Sequence, residues 1–273
     1  MSVTSHPAKR WLKRWSRRLV AGAGRTTRWA GRAQPSGALR ILTYHRIDED
    51  PRDPFAVSPA AFRKQMATLS SSGFVTPMGE ALERLDLGDS SAPRIVLTFD
   101  DGTRDFLTEA LPVLRDFNLP ATLYVSPLRV GGEGFLDWSE LKDIREAGVA
   151  VESHGLDHRS LGGLTPEELW RQVDESRRMI EERLSHPVSS IAYPYGTLRD
   201  FDAKVKESVQ RAGYKSGCSS MNGLNRSGAD RFELRRTKIE QGDLPIFSWI
   251  ITGCLDGWAL VDRHLAGLQN RYT

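Results

Sequence analysis

Two adjacent carboxylates, Asp100 and Asp101, close the apolar run Ile95-Val96-Leu97-Thr98-Phe99 and are followed at once by Gly102. A β-branched and aliphatic run of this length reads as a buried strand, and a charged pair there needs a cation or hydrogen bonds to compensate its burial. Two histidines four apart, in Ser153-His154-Gly155-Leu156-Asp157-His158, have the types and spacing to join one carboxylate on a divalent metal. One aspartate and two histidines leave coordination positions open, as a hydrolytic site requires; a structural zinc site is closed by four protein ligands. Water on such an ion falls in pKa towards neutrality, and a second carboxylate beside the ligand can take its proton. Neighbouring side chains on an extended backbone point to opposite sides, so one member of the doublet faces the metal and the other the water.

Each fragment is weak alone, since Asp-Asp-Gly is usually a solvated turn and histidines four apart usually pack or solvate. Their placement strengthens them. Strand patterns fall at 39–46, 94–98, 121–125, 149–153, 189–193 and 214–217. Helical patterns fall between them: one opened by Ser58-Pro59, then 78–85, 105–117, 139–147, a helix from the capping box Thr165-Pro166-Glu167-Glu168 to about Leu184, and 202–212. Strands alternating with helices imply parallel βα units, whose reactive residues gather at the C-terminal strand ends. His45, the aspartate doublet, His154 and the turn Pro194-Tyr195-Gly196 each lie just past a different predicted strand.

The whole chain bounds these readings. Its 273 residues, 39% hydrophobic and 27% charged, suffice for one α/β barrel of about 250 residues. The formal charge of +3 is uneven: residues 1–40 hold ten Lys or Arg and no acid, which leaves 28 basic against 35 acidic residues, or −7, for the remainder. Residues 1–38 therefore read as a basic N-terminal tail, 39–250 as the barrel and 251–273 as a C-terminal helical extension. Within the tail, Lys9 to Val20 interleaves Trp11 and Trp15 with cations. The expectation is either a disordered arm or an amphipathic segment lying on an anionic membrane. Only Leu19-Val20-Ala21-Gly22-Ala23-Gly24 follows the charges, too short for a secretory signal, and no run approaches the ~18 apolar residues of a span. The expected location is the cytoplasm or the inner face of the membrane. An acidic body without a recognition motif argues against nucleic acid. Cys218 and Cys254 make no disulfide framework or metal pair.

Thr98-Phe99-Asp100-Asp101-Gly102, His154 to His158, and Ala192-Tyr193-Pro194-Tyr195-Gly196 resemble three motifs of the polysaccharide deacetylase family, the NodB-homology domain of carbohydrate esterase family 4. Tyr44-His45-Arg46-Ile47 resembles a branch that includes deacetylases of exported poly-N-acetylglucosamine. The resemblance covers about residues 39–250. It implies a distorted (β/α)7 barrel that hydrolyses N-acetyl groups on a glycan, with a divalent metal, usually Zn²⁺, with Co²⁺ or Ni²⁺ as alternatives. It also assigns Asp100 as general base, and Asp101, His154 and His158 as metal ligands. The Tyr195 backbone N–H becomes an oxyanion donor, of a kind whose loss typically adds about 2.7–4 kcal/mol to the barrier. Pro194 fixes that turn beside the substrate.

Two departures stand out. The third motif often carries an arginine that orients the base, and here that position is Ala192; Arg236, in Leu234-Arg235-Arg236-Thr237, is read as its replacement. The late Leu-x-His that supplies an acid to the leaving amine is missing, so His45 is expected to act as acid or substrate contact. Trp138, in Phe135-Leu136-Asp137-Trp138-Ser139, is read as a wall for a sugar ring, and Trp249 and Trp258 as packing. Two other readings compete. An amidohydrolase on cyclic amides is opposed by the retained Asp101, His154 and His158. A catalytically silent carbohydrate-binding module gains from the missing histidine and arginine but is opposed by Asp100. Neither the glycan nor the oligomeric state is legible.

Overall fold

The computed structural model describes residues 7–29, 37–89 and 91–269, and in them strands and helices alternate. The first half runs α1 (Pro7–Trp29), β1 (Leu39–Tyr44), α2 (Pro59–Ser72), α3 (Met78–Asp86), β2 (Arg94–Phe99), α4 (Leu111–Asp116), β3 (Thr122–Val125) and α5 (Trp138–Glu146). The second runs β4 (Ala150–Ser153), α6 (Pro166–Leu184), β5 (Ser190–Ala192), α7 (Ala203–Arg211), β6 (Ser216–Cys218), β7 (Arg236–Lys238), α8 (Phe247–Ile251) and α9 (Trp258–Gln269).

All seven strands are parallel in one sheet of order β6-β5-β4-β3-β2-β1-β7. Its two edges meet through the chain leading into β7: Leu234 N donates to Gly217 O at 2.9 Å, Ser219 N to Leu234 O at 2.8 Å, and Arg236 N to Met221 O at 3.0 Å. The result is the expected distorted (β/α)7 barrel, nearly closed. β7 itself has no strand pattern, because Arg-Thr-Lys contains no apolar residue; its pairing with β1 defines it.

Alternation along the strands separates two apolar clusters. Leu42, Tyr44, Leu97, Phe99, Leu123, Val125 and Val151 join the large cluster under the helices. Leu39, Ile41, Val96, Tyr124, Ala192, Cys218 and Leu234 form a second, to which α3 adds Met78, Ala81, Leu82 and Leu85. With both faces covered, β1 and β2 are buried at every position. Each such Leu or Ile contributes about 1.5–3 kcal/mol through burial.

The expected caps form. Ser58 accepts from Ala61 N, and the Thr165/Glu168 capping box closes reciprocally, as does a second between Asp137 and Glu140. One predicted helix differs. Over 105–117 a π-turn, Phe106–Ala110, precedes α4, and Leu111 N bonds back five residues to Phe106 O. Pro112 explains it, since a proline lacks the N–H for an α-helical bond and its ring crowds the carbonyl four residues back.

Residues 7–29, expected as an arm or a membrane-surface segment, form α1, and the disordered-arm reading gives way there. Arg17 is buried, with Nη2 2.6 Å from Asp243 Oδ2 and donating to Lys238 O at 2.9 Å. Lys13 Nζ lies 2.8 Å from Glu240, and Arg14 bonds Gln241. Ala21 is fully buried, and a Cβ on Gly24 would meet Cys254 O at 2.0 Å. The rest of the 1–38 stretch lies outside the described residues, apart from Gly37 and Ala38 before β1. No described helix is long and apolar enough to cross a membrane. The extension expected from 251 onward is largely α9, held where Asn222 N donates to Asp262 at 2.7 Å; Trp258 packs in the core and Trp249 against it.

Candidate active site

Asp100 directly follows β2 and is 2% exposed, with both carboxylate oxygens gripped by one side chain. Arg236 donates from Nη1 to Oδ1 at 2.7 Å and from Nη2 to Oδ2 at 2.8 Å. Its Nε donates to Ser219 O at 2.8 Å, so the planar fork is fixed at its third nitrogen as well. Burial alone pushes the Asp100 carboxyl up and is the largest influence, but Arg236, then His154 and His45, together hold it below the ordinary carboxylate range.

Asp101 turns the other way. Its φ of 75° is left-handed, and of five described non-glycine residues with positive φ, three sit here: Asp101, His158 (66°) and Tyr195 (61°). Such backbone costs of order 1–3 kcal/mol at each residue and persists where the surroundings impose it. The concentration of strain marks this rim as the place the fold over-determines. Gly102, at φ 68°, continues the turn where a Cβ would meet Val125 Cγ1 at 2.8 Å.

Around Asp101 Oδ1 stand His158 Nε2 at 3.0 Å and His154 Nε2 at 3.7 Å. One ligand atom from each of the three residues lies within 4.8 Å of the others. His154 Nδ1 is 2.7 Å from Ala192 O, which can only accept, so Nδ1 carries the proton and Nε2 keeps its lone pair. Burial, partly offset by Asp100 and reinforced by His158, lowers His154 to about 4. It is therefore neutral, as a ligand must be. Asp101 is also pushed up by burial and pulled well below its ordinary range by His158 and His154. Asp101 Oδ1 is shielded from solvent, yet no hydrogen-bond donor satisfies it. An anionic oxygen set between the free Nε2 lone pair of His154 and the Nε2 of His158 fits a divalent cation with open positions, by donor chemistry and by charge.

The histidine loop is held from outside. Gln172, buried on α6, accepts from Leu156 N at 3.1 Å and donates to Asp157 Oδ1 at 2.9 Å. Gly155, at φ 70°, lets the Pro194 ring approach, since a Cβ there would sit 3.1 Å from Pro194 Cγ. Pro194 is buried and supports the turn rather than facing outward. Tyr195 follows it, with its ring 5.0 Å from that of His158 and its backbone N–H bonded to no acceptor among the described residues. Gly196, at φ 62°, packs so tightly that a Cβ would lie 2.6 Å from Ser220 N.

His45, past the end of β1, completes the rim, with Nε2 3.9 Å from Asp100 Oδ2. Its ring stacks on Phe55 (centroids 4.9 Å apart), and Nδ1 is buried without a partner. Burial lowers its pKa, Asp100 and Asp101 oppose the shift, and Lys238 and Arg236 add to it. The structure thus brings together Asp100, Asp101, His154, His158, His45, Tyr195, Pro194 and Arg236. Trp138 it places elsewhere, half-buried in the first turn of α5 with Arg183 over its ring at 5.8 Å. Sequence reasoning passed over Arg129, whose Nη1 is 3.6 Å from Asp101 Oδ1 and whose guanidinium lies 4.3 Å from the Phe135 ring centroid. Its only sequence signal is a position just after β3, on the same rim.

The polysaccharide deacetylase family model matches residues 88–217. The YxkH protein of Bacillus subtilis (strain 168), named as a polysaccharide deacetylase candidate, is 26% identical over 219 residues, 80% of this chain and 76% of its own. A poly-beta-1,6-N-acetyl-D-glucosamine N-deacetylase of Staphylococcus aureus (strain MRSA252) is 26% identical over 181 residues, 60% of this chain and 61% of its own. The match thus spans about three fifths of that relative. Among solved structures, the Streptococcus pyogenes deacetylase PplD superposes with TM-score 0.73 and 23% identity, over 79% of this chain and 98% of that one. BC0361, a polysaccharide deacetylase from Bacillus cereus, gives TM-score 0.68 and 28% identity, over 78% and 69%.

Proposed function

We propose that the chain, whose residues 88–217 match the polysaccharide deacetylase family model, acts as a member of that family and hydrolyses N-acetyl groups from N-acetylhexosamine units of a polysaccharide or lipid-linked saccharide. The observation that carries the reading is the orphaned Asp101 Oδ1 among His154 and His158, one residue from an aspartate clamped by Arg236. Asp101, His154 and His158 would hold a divalent cation, Zn²⁺ by the chemistry of the set. When bound, that ion supplies a Lewis acid that makes water nucleophilic near neutral pH.

The chain's own groups do the rest. Asp100 takes the proton of the attacking water, and Arg236 keeps its two oxygens from turning away. The free Tyr195 N–H donates to the oxyanion as the acetamide carbon becomes tetrahedral. His45, 3.9 Å from Asp100, delivers a proton to the nitrogen as the C–N bond breaks, giving acetate and the free amine. Burial lowers its pKa and keeps it neutral at rest, so the proton that Asp100 takes from the water passes to His45 and from there to the leaving nitrogen. Poly-β-1,6-N-acetyl-D-glucosamine, named for the Staphylococcus aureus relative, is the first polymer to try.

Acetate release from a panel of N-acetylated glycans, using protein stripped by chelator and then given Zn²⁺ or Co²⁺, tests the proposal. Release should vanish on stripping and return with metal. Release that persists without metal, or none from any glycan with metal bound, would overturn it.

A further inference from the structure

We propose that α1 seats the protein on an anionic phospholipid surface through an outward stripe of Trp11, Leu12, Trp15 and Leu19. The spacing i, i+1, i+4, i+8 gathers these residues on one side of the helix. They are 65%, 57%, 50% and 51% exposed, and Trp11 and Trp15 stack on each other with centroids 6.3 Å apart and planes 9° apart. The opposite side of α1 carries Arg17, Ala21 and Gly24, which are the residues locked onto the barrel. The body therefore fixes which side of α1 faces out, and that side is apolar. Contiguous exposed apolar surface of this kind marks an interaction site.

Charge selects the occupant. Arg18 and Arg25 are exposed on α1; among the described residues Arg18 donates to Gly242 O at 3.5 Å, and Arg25 lies over the Trp249 ring at 5.1 Å. Residues 1–40 carry ten cations and no acid, whereas the rest of the chain carries −7. A second copy meeting the stripe would bring two cationic helices together. An anionic bilayer instead attracts the helix and repels the body, which orients the molecule with α1 inward. Tryptophans at the boundary and arginines beside it match the interfacial mode of membrane binding.

The docked side of α1 also sets where the barrel lies. Arg17 bonds Lys238 O and Asp243 at the C-terminal end of β7, the end from which the candidate site opens. Membrane seating would thus hold that rim at a set place relative to the bilayer. The seating does not rest on the deacetylase reading, and its test reads binding rather than turnover.

The full chain is sedimented with vesicles of phosphatidylcholine alone and of phosphatidylcholine with phosphatidylglycerol. The mixed vesicles should bring it down, with a blue shift of tryptophan emission, and neutral ones should bind it at least about tenfold more weakly. Trp11→Ser/Trp15→Ser should weaken binding at least about tenfold, and Arg18→Glu/Arg25→Glu should abolish the preference for anionic lipid. Both variants should keep the parent melting temperature, which separates lost contact from misfolding. Absence of vesicle binding, equal binding to both vesicle types, or binding indifferent to the tryptophan pair overturns the proposal. So does a dimer in light scattering that the tryptophan variant dissolves, because the stripe would then belong to a second copy.

Discussion

Arg236→Met removes the fork and leaves Asp100 in place, which isolates what the arginine does. Asp100 is 2% exposed and burial is the largest influence on its carboxyl, opposing ionisation; Arg236 is the largest influence in favour. A cation this close lowers an aspartate by about 1–3 units, so without it the carboxyl rises by that amount. At about 1.36 kcal/mol per unit, the change is about 1.4–4 kcal/mol, in line with the 3–5 kcal/mol expected when one partner of a buried pair is removed. The sign follows from the depressed folded pKa: the pair stabilises the wild type above the ordinary aspartate pKa, and that contribution is lost as pH falls through the folded value. In the variant this contribution disappears, and where burial lifts the carboxyl above its ordinary pKa the group costs stability as pH rises instead. The base also begins to carry a proton nearer neutrality, so the acid limb of kcat/KM should move up by about 1–3 units. The assay is acetate release against pH on metal-loaded protein, with urea denaturation in parallel. Arg236→Lys should recover charge but not the bidentate geometry, and so fall between. An unmoved acid limb in Arg236→Met, with stability intact, would refute the argument that this arginine sets the base.

His45→Ala should reduce acetate release by about a hundredfold or more if His45 supplies the proton to the amine; unchanged turnover removes it from the mechanism. Gly196→Ala forces a Cβ to 2.6 Å from Ser220 N at a φ of 62°. It should lower kcat, by displacing the Tyr195 amide, more than it raises KM, and steady-state kinetics on a soluble oligosaccharide will show whether it does. Arg17→Met leaves Asp243 and Glu240 buried with Lys13 as their remaining partner in α1. It should cost about 3–5 kcal/mol in urea denaturation, and a loss under about 1 kcal/mol would mean that α1 is not locked as described.

The sequence exposes those parts of the fold whose signals are local. Strands β1 to β5 are built on aliphatic or β-branched residues, and the caps at Ser58 and Thr165 are written in adjacent residues, so both could be read directly, whereas β6, Ser216-Gly217-Cys218, is marked only by its place in the alternation. The doublet diverges as expected but for another reason: Asp101 leaves the strand in a left-handed turn, so alternation along an extended backbone does not set its direction. β7 was hidden because Arg236-Thr237-Lys238 is a strand only by its pairing with β1. Arg129 and Gln172 were hidden because their relevance depends on which loops meet at the rim. Trp138 was misplaced by a sound local rule, position in a βα loop, which does not fix the direction of a side chain that starts a helix. The N-terminal stretch failed differently. Its composition allowed either a disordered arm or an amphipathic segment, and the partners of its polar face, Asp243 and Glu240, lie more than two hundred residues away in sequence.

Arg236 joins these observations. Ala192 on β5 and Leu234, just before β7, both lie in the inner cluster, while Arg236 is two residues beyond Leu234 and so points the same way. A barrel interior is narrow enough for an inward side chain on one strand to reach the end of another. Arg236, paired in register with Ile41 on β1, accordingly reaches Asp100 beyond the end of β2. The guanidinium passes over the ring of Tyr124, 5.6 Å from its centroid, into space that an arginine at 192 would contest. Small at 192 and long at 236 are therefore one arrangement and not two unrelated departures. On the proposed reading of Asp100 as base, its bidentate cation comes from β7, across the barrel from Ala192 on β5.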